Sequence, residues 1–197
     1  MDTKLLWFTL GISQLIYVLL LPVWLRLLAY LHPIVLVVIW MCLTGLATFI
    51  VYYVRKCTIN ISTFIFKILI TLYSIGLLIL LFFRPANQEY SQINYVPFKT
   101  IGGFLGGDSN FLIAFYNITA NILLFVPYGV TALMFSRHLS WWRLVLIPAA
   151  SIILIETMQY FTKRGGMDID DLILNLLGVW IGYGLSSVIQ RVVKVKS

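Results

Sequence analysis

Histidine and cysteine are almost missing, two of each in 197 residues, and acidic side chains number only seven. With no His or Cys cluster at ligand spacing, a zinc centre is excluded. Cys42 lies inside an apolar run and Cys57 beside Arg55-Lys56, positions unsuited to a structural disulfide. There is no linker, no internal repeat, no nucleophile elbow, no phosphate-binding glycine loop and no His-Glu-x-x-His pattern. Basic residues exceed acidic ones, for a formal net charge of +7, yet they are scattered over short segments and form no stripe. That distribution argues against nucleic acid and suits membrane topology and anionic lipid.

What is abundant is apolar surface. The chain is 61% hydrophobic and 11% charged, with a mean hydropathy of +0.97. A single small globule in water cannot bury that much, so lipid is its main solvent. A helix of about 20 apolar residues crosses the roughly 30 Å hydrocarbon layer with its backbone bonds satisfied internally. Six segments meet that requirement: Leu5 to Leu25, Ile34 to Val54, Thr63 to Phe83, Phe115 to Phe135, Leu144 to Phe161, and Leu172 to Ile189. The first is longer than a signal-peptide core and has no small-residue cleavage pattern, so it is read as a helix. The expectation is one all-α domain, residues 1–197, a polytopic helical bundle of about six transmembrane helices.

Six crossings put both termini on the side of the second and fourth loops. Nine Lys and Arg residues fall on that side against five on the other, which predicts cytoplasmic N and C termini. Every acidic residue except Asp2 then falls on or near the outer side.

Polar residues at membrane depth carry the functional signal, because an ionisable group there costs about 2.5–3.5 kcal/mol on insertion scales. Glu156 and Gln159 are three apart in the fifth span and share a helical face, as do Asn117 and Asn121 in the fourth. Asp168, Asp171, Asn175, Gly178 and Gly182 draw one polar and small stripe along the sixth. Under the predicted topology all three stripes reach the outer leaflet together and form a polar pocket between antiparallel neighbours. A plainer reading stands beside this one. Asp168, Asp170 and Asp171 suit the positive end of the sixth helix, the amides are interhelical glue, and the glycines are a close-packing face.

Three chemistries fit such a pocket. Carboxylates with amide carbonyls make a hard oxygen site for Mg²⁺, Ca²⁺ or Mn²⁺, with Glu156, Asp168 and Asp171 as ligands. Glu156, desolvated by the bilayer, suits proton transfer as a general acid or base. Arg84, Lys99, Lys163 and Arg164 border the same surface and suit a phosphate or carboxylate. The loop from Arg84 to Asn110 mixes turn formers with bulky apolar residues, as a short interfacial helix, a re-entrant lid or an ordinary connector would. Trp141 and Trp142 read as interface anchors, and His32 and His138 as solvated loop residues.

Four elements together resemble the VanZ-like family of bacterial membrane proteins: Asn94-x-x-Pro97-Phe98; Asn121-x-x-x-Phe125-x-Pro127-x-Gly129; Glu156-x-x-Gln159; and Asp168-Ile169-x-Asp171-x-x-x-Asn175-x-x-Gly178. They lie in order over residues 94–182, within a family-like core of about 84–190. Where many members carry Arg after the glycine preceding the Asp segment, this chain has Gly166, and Arg164 stands ahead of both glycines. The resemblance implies a multi-pass protein of the bacterial cytoplasmic membrane, associated with resistance to teicoplanin-type glycopeptides. The expected ligand is an envelope lipid or lipid-linked wall precursor. Glu156, Asp168 and Asp171 are the acid/base candidates, with Asn94, Asn117, Asn121, Gln159, Asn175, Arg84 and Arg164 as binding residues. The alternative is a non-catalytic accessory protein whose polar stripes are structural.

Overall fold

The computed structural model describes residues 3–27, 33–82, 93–106, 111–135 and 140–196. Its elements in chain order are α1 (Thr3–Leu27), α2 (Ile34–Val54), β1 (Ile59–Ser62), α3 (Thr63–Phe82), β2 (Ile93–Asn94), α4 (Lys99–Gly106), α5 (Phe111–Phe135), α6 (Trp141–Phe161), β3 (Met167–Asp168), α7 (Ile169–Val192) and β4 (Val193–Lys196). The fold is all-α and polytopic, and each apolar segment read from the sequence lies on a helix over its described residues. Five helices among the described residues are long and apolar enough to cross a membrane, and α2 is a sixth apolar helix of 21 residues. Their large side chains face outward: Trp7, Phe64 and Phe111 are 73%, 74% and 75% exposed. Lipid-facing surface explains what would be ruinous in water.

The chain clusters into two compact units, residues 1–85 with 188–197, and residues 86–187. In the first unit α1 and α2 pack as a hairpin. The Gln14 amide bridges them mid-membrane, donating to Thr44 Oγ1 at 3.2 Å and accepting from the Trp40 indole, while the Tyr17 hydroxyl donates to the Leu36 carbonyl at 3.0 Å. These bonds satisfy groups that lipid cannot.

The same unit holds a two-stranded parallel ribbon, β1 against β4, with Ile59 opposite Val193 and Ser62 opposite Lys196. The Thr63 hydroxyl extends it by donating to the Lys196 carbonyl at 3.0 Å. The second loop and the C-terminal segment, assigned to one side of the membrane by counting crossings, are thus physically joined.

In the second unit α5 and α7 run in the same direction and touch backbone to backbone. A methyl carbon added at Gly178 would lie 2.1 Å from the Ile122 carbonyl oxygen, one at Gly182 2.2 Å from that of Val126, and one at Gly129 2.0 Å from that of Val179. The glycines are therefore a close-packing face. The start of α6 is held to the far part of α7 by the Tyr183 hydroxyl, which donates to the Leu144 carbonyl at 3.0 Å.

Helices α2 and α6 end alike. After α2, Lys56 has φ 52°, its N–H bonds the Tyr53 carbonyl and that of Cys57 the Tyr52 carbonyl. After α6, Lys163 has φ 55°, bonding Tyr160, while Arg164 N–H bonds Gln159. Both are Schellman turns with lysine where glycine is favoured; the positive charge suits the helix C-terminus, but the left-handed backbone costs about 1 kcal/mol. Lys163→Gly should accordingly raise unfolding free energy by about 0.5–1 kcal/mol in detergent titration; a loss would mean the side chain contributes more than its backbone costs.

Candidate functional site

The site grows from the first turn of α7. Parallel pairing of β2 with β3 places Asn94 opposite Asp168, so the third loop is laid against the entry to α7. Asp168 is the N-cap of α7, one carboxylate oxygen accepting the Asp170 N–H at 2.9 Å. The Asn94 amide donates to the same oxygen at 3.0 Å, and the Thr100 hydroxyl donates to the other at 2.6 Å. Asn94 Nδ2 also reaches Thr100 Oγ1 at 3.2 Å, while its carbonyl oxygen accepts from the Val96 N–H in an Asx turn.

Asp170, two residues on, is completely buried. Its carboxylate caps a different helix: it accepts the backbone N–H groups of Phe98, of Thr100 at 2.8 Å and of Ile101 at 3.0 Å, the N-terminal donors of α4. A helix N-terminus presents unsatisfied N–H groups and a partial positive charge, and a carboxylate answers both. Asp170 stands in the first turn of its own helix, as expected from the sequence, while its carboxylate serves α4, which supplies three converging donors. Phe98 is held at φ 64° where the chain enters α4. Around it Tyr95, Val96 and Phe98 stand 67%, 59% and 63% exposed, an apolar tip on the segment the carboxylate fixes.

Asp171, half-buried, accepts the Asn121 amide of α5 through Oδ1. That bond sits at one end of the α5 to α7 crossing, and Gly178 and Gly182 continue the same face of α7. Asn175, one turn beyond Asp171, is 4% exposed and its Oδ1 accepts no hydrogen bond. On α6, Glu156 is 5% and Gln159 3% exposed. The turn after α6 folds back on Gln159: an added methyl at Gly165 would stand 3.2 Å from its side chain. Asn117 lies half-buried one turn before Asn121, outside this set of bonds, and the Arg164 side chain is exposed. Arg84, with Glu89, Asp108, His32 and His138, lies outside the described residues.

The structure therefore brings Asn94 to Asp168 and Asn121 to Asp171, and leaves Glu156, Gln159 and Asn175 as buried polar groups on α6 and α7. It does not assemble the three-carboxylate cation site of Glu156, Asp168 and Asp171: among the described residues no three His, Cys, Asp or Glu side chains form a metal-ligand group. Sequence reasoning missed Thr100 altogether and, for Asp170, the partner it serves; nothing local links either residue to its distant partner.

Long apolar helices that carry buried polar residues on α6 and α7 define a polytopic helical membrane protein. Residues 33–190 match the family model VanZ/LLP1, and the chain belongs to that family. The match begins well ahead of the motif-bearing region. No curated protein and no solved structure matches the chain.

Proposed function

We propose that this protein binds an envelope lipid or lipid-linked wall precursor at the outer leaflet of the bacterial cytoplasmic membrane, through the polar ends of α5, α6 and α7. The carrying observation is Asn175: a buried carbonyl oxygen without a donor costs about 1–3 kcal/mol, a penalty a ligand hydroxyl or amide would remove. Glu156 and Gln159, buried on α6, supply an ionisable group and an amide at membrane depth. The clamped third loop, with Tyr95, Val96 and Phe98 exposed, suits the headgroup layer as an amphipathic cover. In this reading Asp168 positions the loop, and Glu156 is the group left for proton transfer. The family's association with teicoplanin-type resistance agrees with a ligand drawn from wall synthesis.

Glu156→Gln is the discriminating variant, because it preserves shape and removes the ionisable oxygen. Envelope lipids and lipid-linked precursors would be compared by mass spectrometry in cells carrying wild type, Glu156→Gln or no gene, at matched membrane protein level. A species that depends on wild type and disappears with Glu156→Gln is the expected result. The rival reading, a non-catalytic accessory protein, draws on the structural use of Asp168 and Asp170. It predicts identical lipid profiles and a Glu156→Gln protein that is merely less stable.

A further inference from the structure

A second site lies in the first unit, apart from everything above. A cavity of about 340 Å³ is lined by Tyr52, Tyr53, Lys56 and Cys57 from the end of α2 and its turn, and by Arg191 and Val192 from the end of α7. Its floor is well packed: Tyr52 is fully buried and Val192 is 1% exposed. The geometry around it is fixed twice over. The Schellman turn sets the Lys56 backbone at φ 52°, and the β1 to β4 ribbon begins at Val193, directly after the two α7 residues that line the cavity.

The charge is one-sided. Residues 55–62 and 191–196 together contain five cations, Arg55, Lys56, Arg191, Lys194 and Lys196, and no acid. Cations gathered without a carboxylate repel one another and carry an unanswered field, and two of them line a cavity whose other walls are aromatic and apolar. This combination suits a phosphate: Arg191 offers a planar fork of donors, Lys56 a point charge, and the half-exposed Tyr53 an amphipathic edge.

The geometry points to a phosphate-binding site at the α2 and α7 ends, filled by the headgroup of an anionic phospholipid from the adjoining leaflet. Basic pockets between helices on the cytoplasmic side commonly hold such headgroups, and the Lys and Arg count assigns this end to that side.

The test uses the full-length purified protein in detergent, with native mass spectrometry during titration of phosphatidylglycerol, of phosphatidylcholine, and of inorganic phosphate. Lys56→Asn removes a charge with a residue suited to the left-handed backbone, and Arg191→Gln does so with a good helix former. Each should weaken phosphatidylglycerol binding by about fivefold, while Lys4→Gln, outside the cavity, changes it by less than about twofold. Saturable phosphatidylglycerol binding with weak inorganic phosphate identifies a lipid as the source of the phosphate; equal binding of both identifies the free anion. Lys56→Arg should retain affinity, so a folding defect is told apart from a lost charge. Equal losses for Lys4→Gln and Arg191→Gln, or equal binding of phosphatidylcholine and phosphatidylglycerol, would overturn the site.

Discussion

Asp170→Asn should detach α4 from α7 and lower stability by about 3 kcal/mol. The carboxylate offers acceptors to three N–H groups; asparagine offers one carbonyl oxygen and turns an amide donor toward the rest. Bonds to a charged acceptor are each worth about 1.5–3 kcal/mol, and a buried donor left unsatisfied adds its own penalty. The loss is local before it is global. Hydrogen exchange at Phe98, Thr100 and Ile101 should accelerate by two orders of magnitude or more, consistent with that free energy, while the α5 to α7 crossing stays protected. Unchanged exchange across residues 93–106 would mean that β2 and the Asp168 bonds hold the loop without Asp170.

Gly178→Ala carries the other large effect. Its methyl would meet the Ile122 carbonyl oxygen at 2.1 Å and the carbonyl carbon at 3.0 Å, both backbone atoms that no rotamer change can move aside. The helices must separate, breaking the same contact at Gly182 and Gly129, for an expected cost of about 3 kcal/mol. Gly184→Ala provides the contrast, because nothing lies within 4 Å of a methyl there. Alanine's better helix propensity should make that change neutral or stabilising by up to about 1 kcal/mol. Unfolding in mixed detergent micelles would read both, and equal effects would refute the packing account.

The helices were legible in the sequence because their cause is local. Twenty apolar residues in a row have one stable conformation in lipid, so the bounds agree within about a turn: Phe115 to Phe135 predicted against Phe111–Phe135, and Leu172 to Ile189 against Ile169–Val192. The residual error has one sign at the start of α7, which runs past its apolar run because Asp168 caps Ile169 and Asp170 into the helix. The stripe from Asp171 to Gly182 was also legible, since helical spacing alone puts those residues on one face, and α5 covers that face.

The clamp was not. Which helix a buried Asp170 caps depends on where a loop some 70 residues earlier in the chain comes to rest, and no spacing encodes that. The ribbon lies between these cases. Ile59-Asn60-Ile61-Ser62 and Val193-Lys194-Val195-Lys196 alternate apolar and polar with the period of a strand, and both show the matching alternation in burial. A scan for long apolar runs passes over four-residue alternations, which is why a loop and a tail were expected there.

The ribbon also imposes an order on biogenesis. Ile59 emerges from the ribosome long before Val193, its partner, so β1 must wait unpaired while every later helix is synthesised and inserted. Only a chain whose α7 has been threaded to its proper depth can bring β4 alongside. The pairing of these two short strands thus acts as a late stitch, recording that α7 has been made and set in place.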